Sequence, residues 1–149
     1  MSIEELVNQF ETGTLPQPQW THEAHLKIAL YYMYNEKDHF SALTKMRCGL
    51  IRYGALRNPQ IVCVLRYNET ITLFWMYKMH MFVDHNKGKT MLFEDLWNLF
   101  LKCPVAEKEY IYKFYDKEDL HSDRSRASWT SPTDNFWSYD DCVMSEPHL

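Results

Sequence analysis

Apolar residues recur at helical spacing along most of this chain, and capping residues mark where individual helices should begin. Ser2 with Glu5 three positions later is a capping-box pattern, which predicts a short first helix ending at Gly13. Thr21 is a second N-cap, and its helix should extend to about Asn35. The residues predicted to face inward from this second helix are His22, His25, Leu26, Ala29, Leu30 and Met33.

Two longer helices are predicted in the middle of the chain. Asp38 can cap a third helix that should stop at Gly54, and a fourth helix should reach about Val83. The apolar face of the third helix comprises Phe40, Leu43, Met46, Leu50 and Ile51. The fourth helix carries Ile71, Leu73, Phe74, Met76 and Tyr77.

The segment between these two helices, residues 55–66, is ambiguous. It contains a β-branched run at 61–65, which fits a strand or the start of a buried helix. Since the chain offers no second run of this kind for pairing, we favour a helix or an extended buried segment.

In the last third of the chain, the pattern predicts shorter helices followed by an irregular tail. Thr90 should cap a helix through Leu101, and Pro104 should begin a last long helix to about Tyr115. Ser122 can cap one further turn.

Residues 128–149 have no helical period, but they contain several large rings, so part of this tail should pack across the helices. The sequence therefore predicts an all-α fold, a single compact bundle of five to six helices in one domain over 1–149, helical to about residue 127. The residues expected to be buried are Leu26, Leu30, Leu43, Leu50, Leu73, Phe74, Leu96 and Trp97.

Composition and charge narrow the class of protein. Only four of the 149 residues are glycine, which favours helices over a turn-rich β architecture. The formal net charge of −4 argues against a nucleic-acid partner. The longest uncharged apolar run, 71–77, is too short to span a membrane. With no export signal at the N-terminus and four widely spaced cysteines, the chain is expected to be cytoplasmic with reduced thiols.

The most informative candidate chemistry is a histidine pair at the start of the second helix. His22 and His25 are three positions apart, so both imidazoles share one helical face. A helix N-terminus disfavours the protonated form, which leaves both rings neutral and able to bind a metal. The alternative is that each histidine is structural and bonded to the backbone.

Two imidazoles need a third ligand, and Glu69 at the start of the fourth helix is the leading candidate. If the two helix starts meet at one end of the bundle, His22, His25 and Glu69 form a two-histidine, one-carboxylate set. Such a set suits one divalent metal, namely zinc, iron or manganese. The alternative is that Glu69 only interacts with the helix dipole.

Three segments of this chain resemble a family of short, uncharacterised bacterial proteins. Residues 10–16 and 20–26 match its opening element, T/H-H-x-x-H-L/V before a hydrophobic helix. Residues 67–72 match its Tyr-His-Glu-Thr-Ile-Thr element, except that Asn68 stands where relatives have histidine. The third element, Ser-x-x-Ala-Arg followed by tryptophan and Pro-Asp, is similar to residues 122–132, with departures at Ser125 and Thr133. The resemblance implies no particular activity.

Asn68 and Arg126 are the predicted substrate contacts. Asn68 replaces the family's histidine, and Arg126 lies on the third family element, where its guanidinium could receive a carboxylate or phosphate. The alternative for Arg126 is an ion pair with a nearby acidic residue.

Two functional classes follow. The first is a metal-dependent enzyme in which His22, His25 and Glu69 hold the ion and Arg126 orients an anionic small molecule. The second is a non-catalytic helical module that binds a ligand or a protein and has lost the site, which Asn68 favours. The aromatic content also predicts a homodimer, unless the tail covers the rings. The aromatic residues expected at its interface are Tyr31, Tyr32, Tyr34, Trp137 and Tyr139.

Overall fold

The computed structural model describes residues 1–57 and 67–144, and in these residues it has α-helices and 3₁₀ turns but no β-strand. The seven α-helices are α1 (Ile3–Thr12), α2 (His22–Asn35), α3 (His39–Arg57), α4 (Glu69–His85), α5 (Phe93–Phe100), α6 (Lys117–Leu120) and α7 (Asp123–Ala127). The 3₁₀ turns are Gln17–Gln19, Pro104–Ala106, Tyr110–Lys113, Asp134–Trp137 and Asp140–Cys142. The predicted all-α bundle is confirmed.

Side-chain caps fix the starts of the principal helices. The Ser2 hydroxyl accepts a hydrogen bond from the Glu5 amide at 3.1 Å, and the Thr21 hydroxyl accepts one from the Ala24 amide at 3.1 Å. Gly13 ends α1 in the left-handed conformation, with φ of 73°. These local patterns are the ones that the sequence predicted.

The core lies around α2 and α4. α2 packs against both α3 and α4, which also contact each other, while α1 covers α2 and α3. Gly49 of α3 allows a close approach of α1, because a Cβ at this position would lie 2.7 Å from Phe10 Cζ. Core side chains with 2% exposure or less on α2 and α4 are Leu26, Ile28, Ala29, Leu30, Phe74, Met76, Met79 and Phe82.

A cluster of rings joins α4 to the C-terminal third of the chain. Phe74 is fully buried, and its ring centroid lies 5.2 Å from that of Phe136, 5.5 Å from Phe114 and 6.0 Å from Tyr110. The tail thus supplies a central core residue, Phe136, which is itself fully buried.

Lys78 of α4 is also fully buried, and its ammonium group lies among these rings. Its Nζ donates a hydrogen bond to the Phe136 carbonyl and lies 4.6 Å from the Phe136 ring centroid. The rings of Phe114 and Tyr110 lie at 5.2 and 5.7 Å from Nζ. Burial lowers the pKa of Lys78, whereas the rings stabilise its cation. Lys78 therefore ties residues 134–137 to α4.

Some predicted helix boundaries were wrong. Residues 104–115 form two 3₁₀ turns rather than one long helix, because Tyr110, Ile111 and Phe114 turn inward to pack on the core. α3 continues past Gly54 to Arg57, and α5 begins at Phe93 with Leu92, not Thr90, at its N-cap position. Residues 58–66, most of the ambiguous segment, lie outside the described residues.

The buried set was largely correct, with Leu43 and Leu50 only partly buried. Phe40 and Ile51, placed on the apolar face of the third helix, are exposed, at 69% for Phe40. Phe40 is the second residue of α3, and its ring packs beside His39 instead of the core.

Of the rings expected at a dimer interface, Tyr32 is buried, with its hydroxyl donating to the Glu11 carboxylate at 2.7 Å. Tyr34, Trp137 and Tyr139 are exposed, and self-association stays a prediction. No helix in the described part of the chain combines the length and hydrophobicity needed to cross a membrane.

Candidate functional site

A pocket of about 510 Å³ opens where α2 and α4 begin. The first two turns of both helices line it, together with the C-terminal part of α3 and residues just before α2 and α4. Its apolar lining includes Trp20, Leu26, Ala29, Met46, Leu50, Ile51, Tyr53, Tyr67, Ile71, Trp75 and Met76. Its polar lining consists of Gln17, His22, His25, Arg57, Asn68, Thr72 and Lys108. The two helix starts therefore do meet at one site.

His22 is the first residue of α2 and lines this pocket. Its Nε2 hydrogen-bonds the Ala106 carbonyl at 3.2 Å, and its ring centroid lies 5.4 Å from that of Trp75, edge to face. Burial lowers the pKa of His22, and the hydrogen bond to Ala106 offsets only part of this effect. The Ala106 contact also joins α2 to the 3₁₀ turn Pro104–Ala106.

His25 lies one turn further along α2 and packs on Trp20. The two ring centroids are 3.6 Å apart, and His25 Nδ1 hydrogen-bonds the Thr21 carbonyl at 3.0 Å. The pKa of His25 is lowered to about 4, chiefly by burial and to a smaller extent by the neighbouring His22, while the hydrogen bond to the Thr21 carbonyl acts in the opposite direction. His25 is therefore neutral at pH 7.

The hydrogen bonds also assign the proton on each ring. A carbonyl oxygen can only accept, so the nitrogen facing it carries the hydrogen and the other nitrogen keeps a lone pair. The lone pairs are then on Nδ1 of His22 and Nε2 of His25. Each histidine can accept a hydrogen bond, take a proton or bind a metal through that nitrogen. Both are also bonded to the backbone, as the structural alternative held.

Glu69 is held by a different set of partners. Its carboxylate receives Arg47 Nε at 2.9 Å and Nη2 at 3.0 Å, and the Tyr67 hydroxyl at 2.8 Å. It does not belong to the described lining of the pocket, whereas its partner Tyr67 does. Among residues 1–57 and 67–144, no group of three or more His, Cys, Asp or Glu could hold a metal ion. The site of His22, His25 and Glu69 stays a prediction.

Asn68 lines the pocket but also caps α4. Its side-chain oxygen accepts from the Ile71 amide at 3.0 Å, and its Nδ2 donates to the Leu120 carbonyl at 2.8 Å. Arg126 lies on α7 and is not among the described residues that line the pocket. A substrate contact by either residue is therefore still a prediction.

Sequence reasoning missed most of the aromatic and cationic wall. Tyr53 and Arg57 come from α3, and Lys108 follows the 3₁₀ turn Pro104–Ala106. The residues that α4 contributes to the pocket could have been predicted from the sequence, because positions 68, 71, 72 and 75 share one face of a helix. The α3 and Lys108 contributions depend on tertiary packing.

No protein-family model matches the chain, and it has no significant match among curated proteins or solved structures. The resemblance to short bacterial proteins therefore stays a prediction, and the function has to be argued from the pocket.

Proposed function

We propose that this protein binds a small organic molecule in the pocket between α2, α3 and α4. The observation that carries this proposal is the pocket itself, about 510 Å³ with predominantly apolar and aromatic walls and a few polar groups. Its volume lies within the range typical of small-molecule sites, and a mostly apolar lining with a few polar groups is also typical of them.

The two histidines give the pocket its orienting groups. His22 Nδ1 and His25 Nε2 are acceptors on otherwise aromatic surfaces, so a ligand with a hydroxyl or amide donor would find partners there. Because both rings are already held by backbone hydrogen bonds, little rotational freedom would be lost on binding.

Gly54 provides a way to test this function without removing a contact. It lines the pocket within α3, and a Cβ built on it meets no atom within 4 Å. We expect Gly54→Phe to fill the pocket and weaken binding of 2-naphthamide, measured by isothermal titration calorimetry, by at least about tenfold. Gly54→Ala is the matched control, since it adds little volume and should leave affinity near that of the original chain.

Folding of both variants is checked by circular dichroism. Replacing a helical glycine should stabilise α3 by up to about 1 kcal/mol, so loss of fold is not the expected cause of weaker binding. Equal affinity for 2-naphthamide in Gly54→Phe and Gly54→Ala, or no binding of either 2-naphthamide or 2-naphthoate to the original chain, would contradict the proposal.

A second candidate function, a metal-dependent enzyme, is favoured by one specific observation. Each histidine donates one N–H to a backbone carbonyl and keeps the other nitrogen as a lone pair, which is how metal-binding histidines are usually oriented. Glu69 could complete the set only if its two-pronged pair with Arg47 opened. Arg126 would then orient an anionic substrate.

The metal is tested by elemental analysis of protein purified without an affinity tag or chelator. The enzyme hypothesis expects about one zinc, iron or manganese per chain, lost in the double variant His22→Ala/His25→Ala with its helical spectrum intact. His85→Ala, at an exposed position outside the pocket, is the control. A metal content that the double variant leaves unchanged would exclude these histidines as ligands.

A further inference from the structure

The pocket carries positive charge in a chain whose net charge is negative. Arg57 and Lys108 line it, and none of the described lining residues is an aspartate or glutamate. Glu69, the acid that the sequence predicted at this site, is paired with Arg47. The pocket thus has two cations that its own described wall does not neutralise.

One of these two cations, Lys108, also acts on His22. Among charged side chains, Lys108 has the largest effect on this histidine, ahead of Glu23 and Glu107, which are acidic neighbours outside the described lining. Glu23 and Glu107 act on His22 in the opposite direction. α2 and α4 also begin at the pocket, and their N-terminal amides add partial positive charge.

Arg57 has hydrogen-bonding capacity left for a ligand. One Nη donates to the Leu15 carbonyl, and the guanidinium carbon lies 5.8 Å from the Tyr53 ring centroid. The Leu15 carbonyl occupies only one of the several N–H donors of a guanidinium, which can pair with a carboxylate through two of them.

The remaining walls are flat rings. Trp20 lies against His25 and has its ring centroid 4.9 Å from that of Tyr53, while Trp75 meets the edge of His22. Ring faces and edges of this kind favour stacked or edge-to-face contacts with another aromatic system. An aliphatic chain would use none of this geometry.

We infer that the ligand of this pocket is an aromatic anion, a flat ring system whose carboxylate meets Arg57 and Lys108. The inference rests on the small-molecule function proposed above and specifies its chemical class. The ring system contacts the aromatic wall to which Trp20 and Trp75 belong, and the histidine lone pairs accept from any donor on the ring system.

A matched pair of probes tests the charge. 2-Naphthoate and 2-naphthamide have the same ring and nearly the same shape, and only the first is an anion at pH 7. At low ionic strength, calorimetry should show 2-naphthoate binding at least about tenfold more tightly. The preference should shrink at high salt, because both cations are exposed and therefore screened.

Three variants test which side chains cause the preference for 2-naphthoate over 2-naphthamide. Lys108→Gln and Arg57→Gln should each reduce it by about threefold or more while retaining affinity for 2-naphthamide. Lys102→Gln, at an exposed position outside the described lining, should leave it unchanged. Lys108 is the cleaner of the two, since Arg57 also bonds the Leu15 carbonyl.

The outcomes separate this inference from the function on which it rests. Equal affinity for the two probes, with binding still blocked by Gly54→Phe, would overturn the anion inference and leave the pocket's function standing. A preference that survives loss of both Arg57 and Lys108 would also overturn it. If neither probe binds, or Gly54→Phe blocks neither, the proposed function itself fails.

Discussion

Replacing Phe74 with alanine is expected to lower the free energy of unfolding by about 3–5 kcal/mol. Phe74 is fully buried at the centre of the ring cluster, with Trp75, Phe114 and Phe136 all within 5.5 Å between centroids. The variant loses the transfer free energy of the ring and leaves a cavity that surrounding rings from three parts of the chain fill poorly. Urea denaturation followed by circular dichroism measures the change.

Phe40→Ala is the matched control for that experiment. The same ring is deleted from α3, but Phe40 is 69% exposed, so stability should change by no more than about 0.5 kcal/mol. If the two variants had similar denaturation midpoints, Phe74 would not have the central place in the core described above.

Ending the chain after Pro132 is expected to lower the free energy of unfolding by more than about 3 kcal/mol. The truncation removes Phe136, which is fully buried, and takes away the carbonyl that receives Lys78 Nζ. Lys78 would then be left as a desolvated cation without its acceptor, a further cost. Denaturation measures stability, and light scattering over a concentration series should show increased association as the ring cluster becomes exposed.

Two single substitutions show which residue of the tail accounts for this loss of stability. Phe136→Ala should account for most of the loss, whereas Trp137→Ala removes a ring that is 60% exposed and should have a small effect. A truncated chain as stable as the full one would show that residues 133–149 contribute nothing to the core.

The sequence predicted those features of the fold that depend on near neighbours. Ser2, Thr21 and Ser122 each cap the helix that the pattern assigned to them, because the cap bond joins residues three apart. The segment 104–115 was misassigned for the opposite reason. Its Tyr110 and Phe114 pack on Phe74, and this long-range packing decides its backbone more than its own periodicity does.

The candidate site also combines residues that local spacing predicted with residues that depend on tertiary packing. His22 and His25 were found from their spacing, and the structure places both in the pocket with Asn68. The pairing of Glu69 with Arg47, 22 residues away, could not be found, because it depends on how α3 lies beside α4. The burial of Lys78 could not be predicted either, because nothing in the helical pattern distinguishes it from a surface lysine. Its burial is completed by the tail, where the Phe136 carbonyl accepts its hydrogen bond.

Gly49 gives the pocket a dependence on a residue that does not line it. It holds α1 close to α3 through Phe10, whose ring stacks on Trp20 at 5.0 Å between centroids, and Trp20 is part of the pocket wall. Any side chain at position 49 must displace Phe10 and so shift the surface on which a ligand would stack. If the pocket binds a ligand as proposed, a substitution at position 49 would alter its selectivity through the packing of α1, without changing a residue that lines the site.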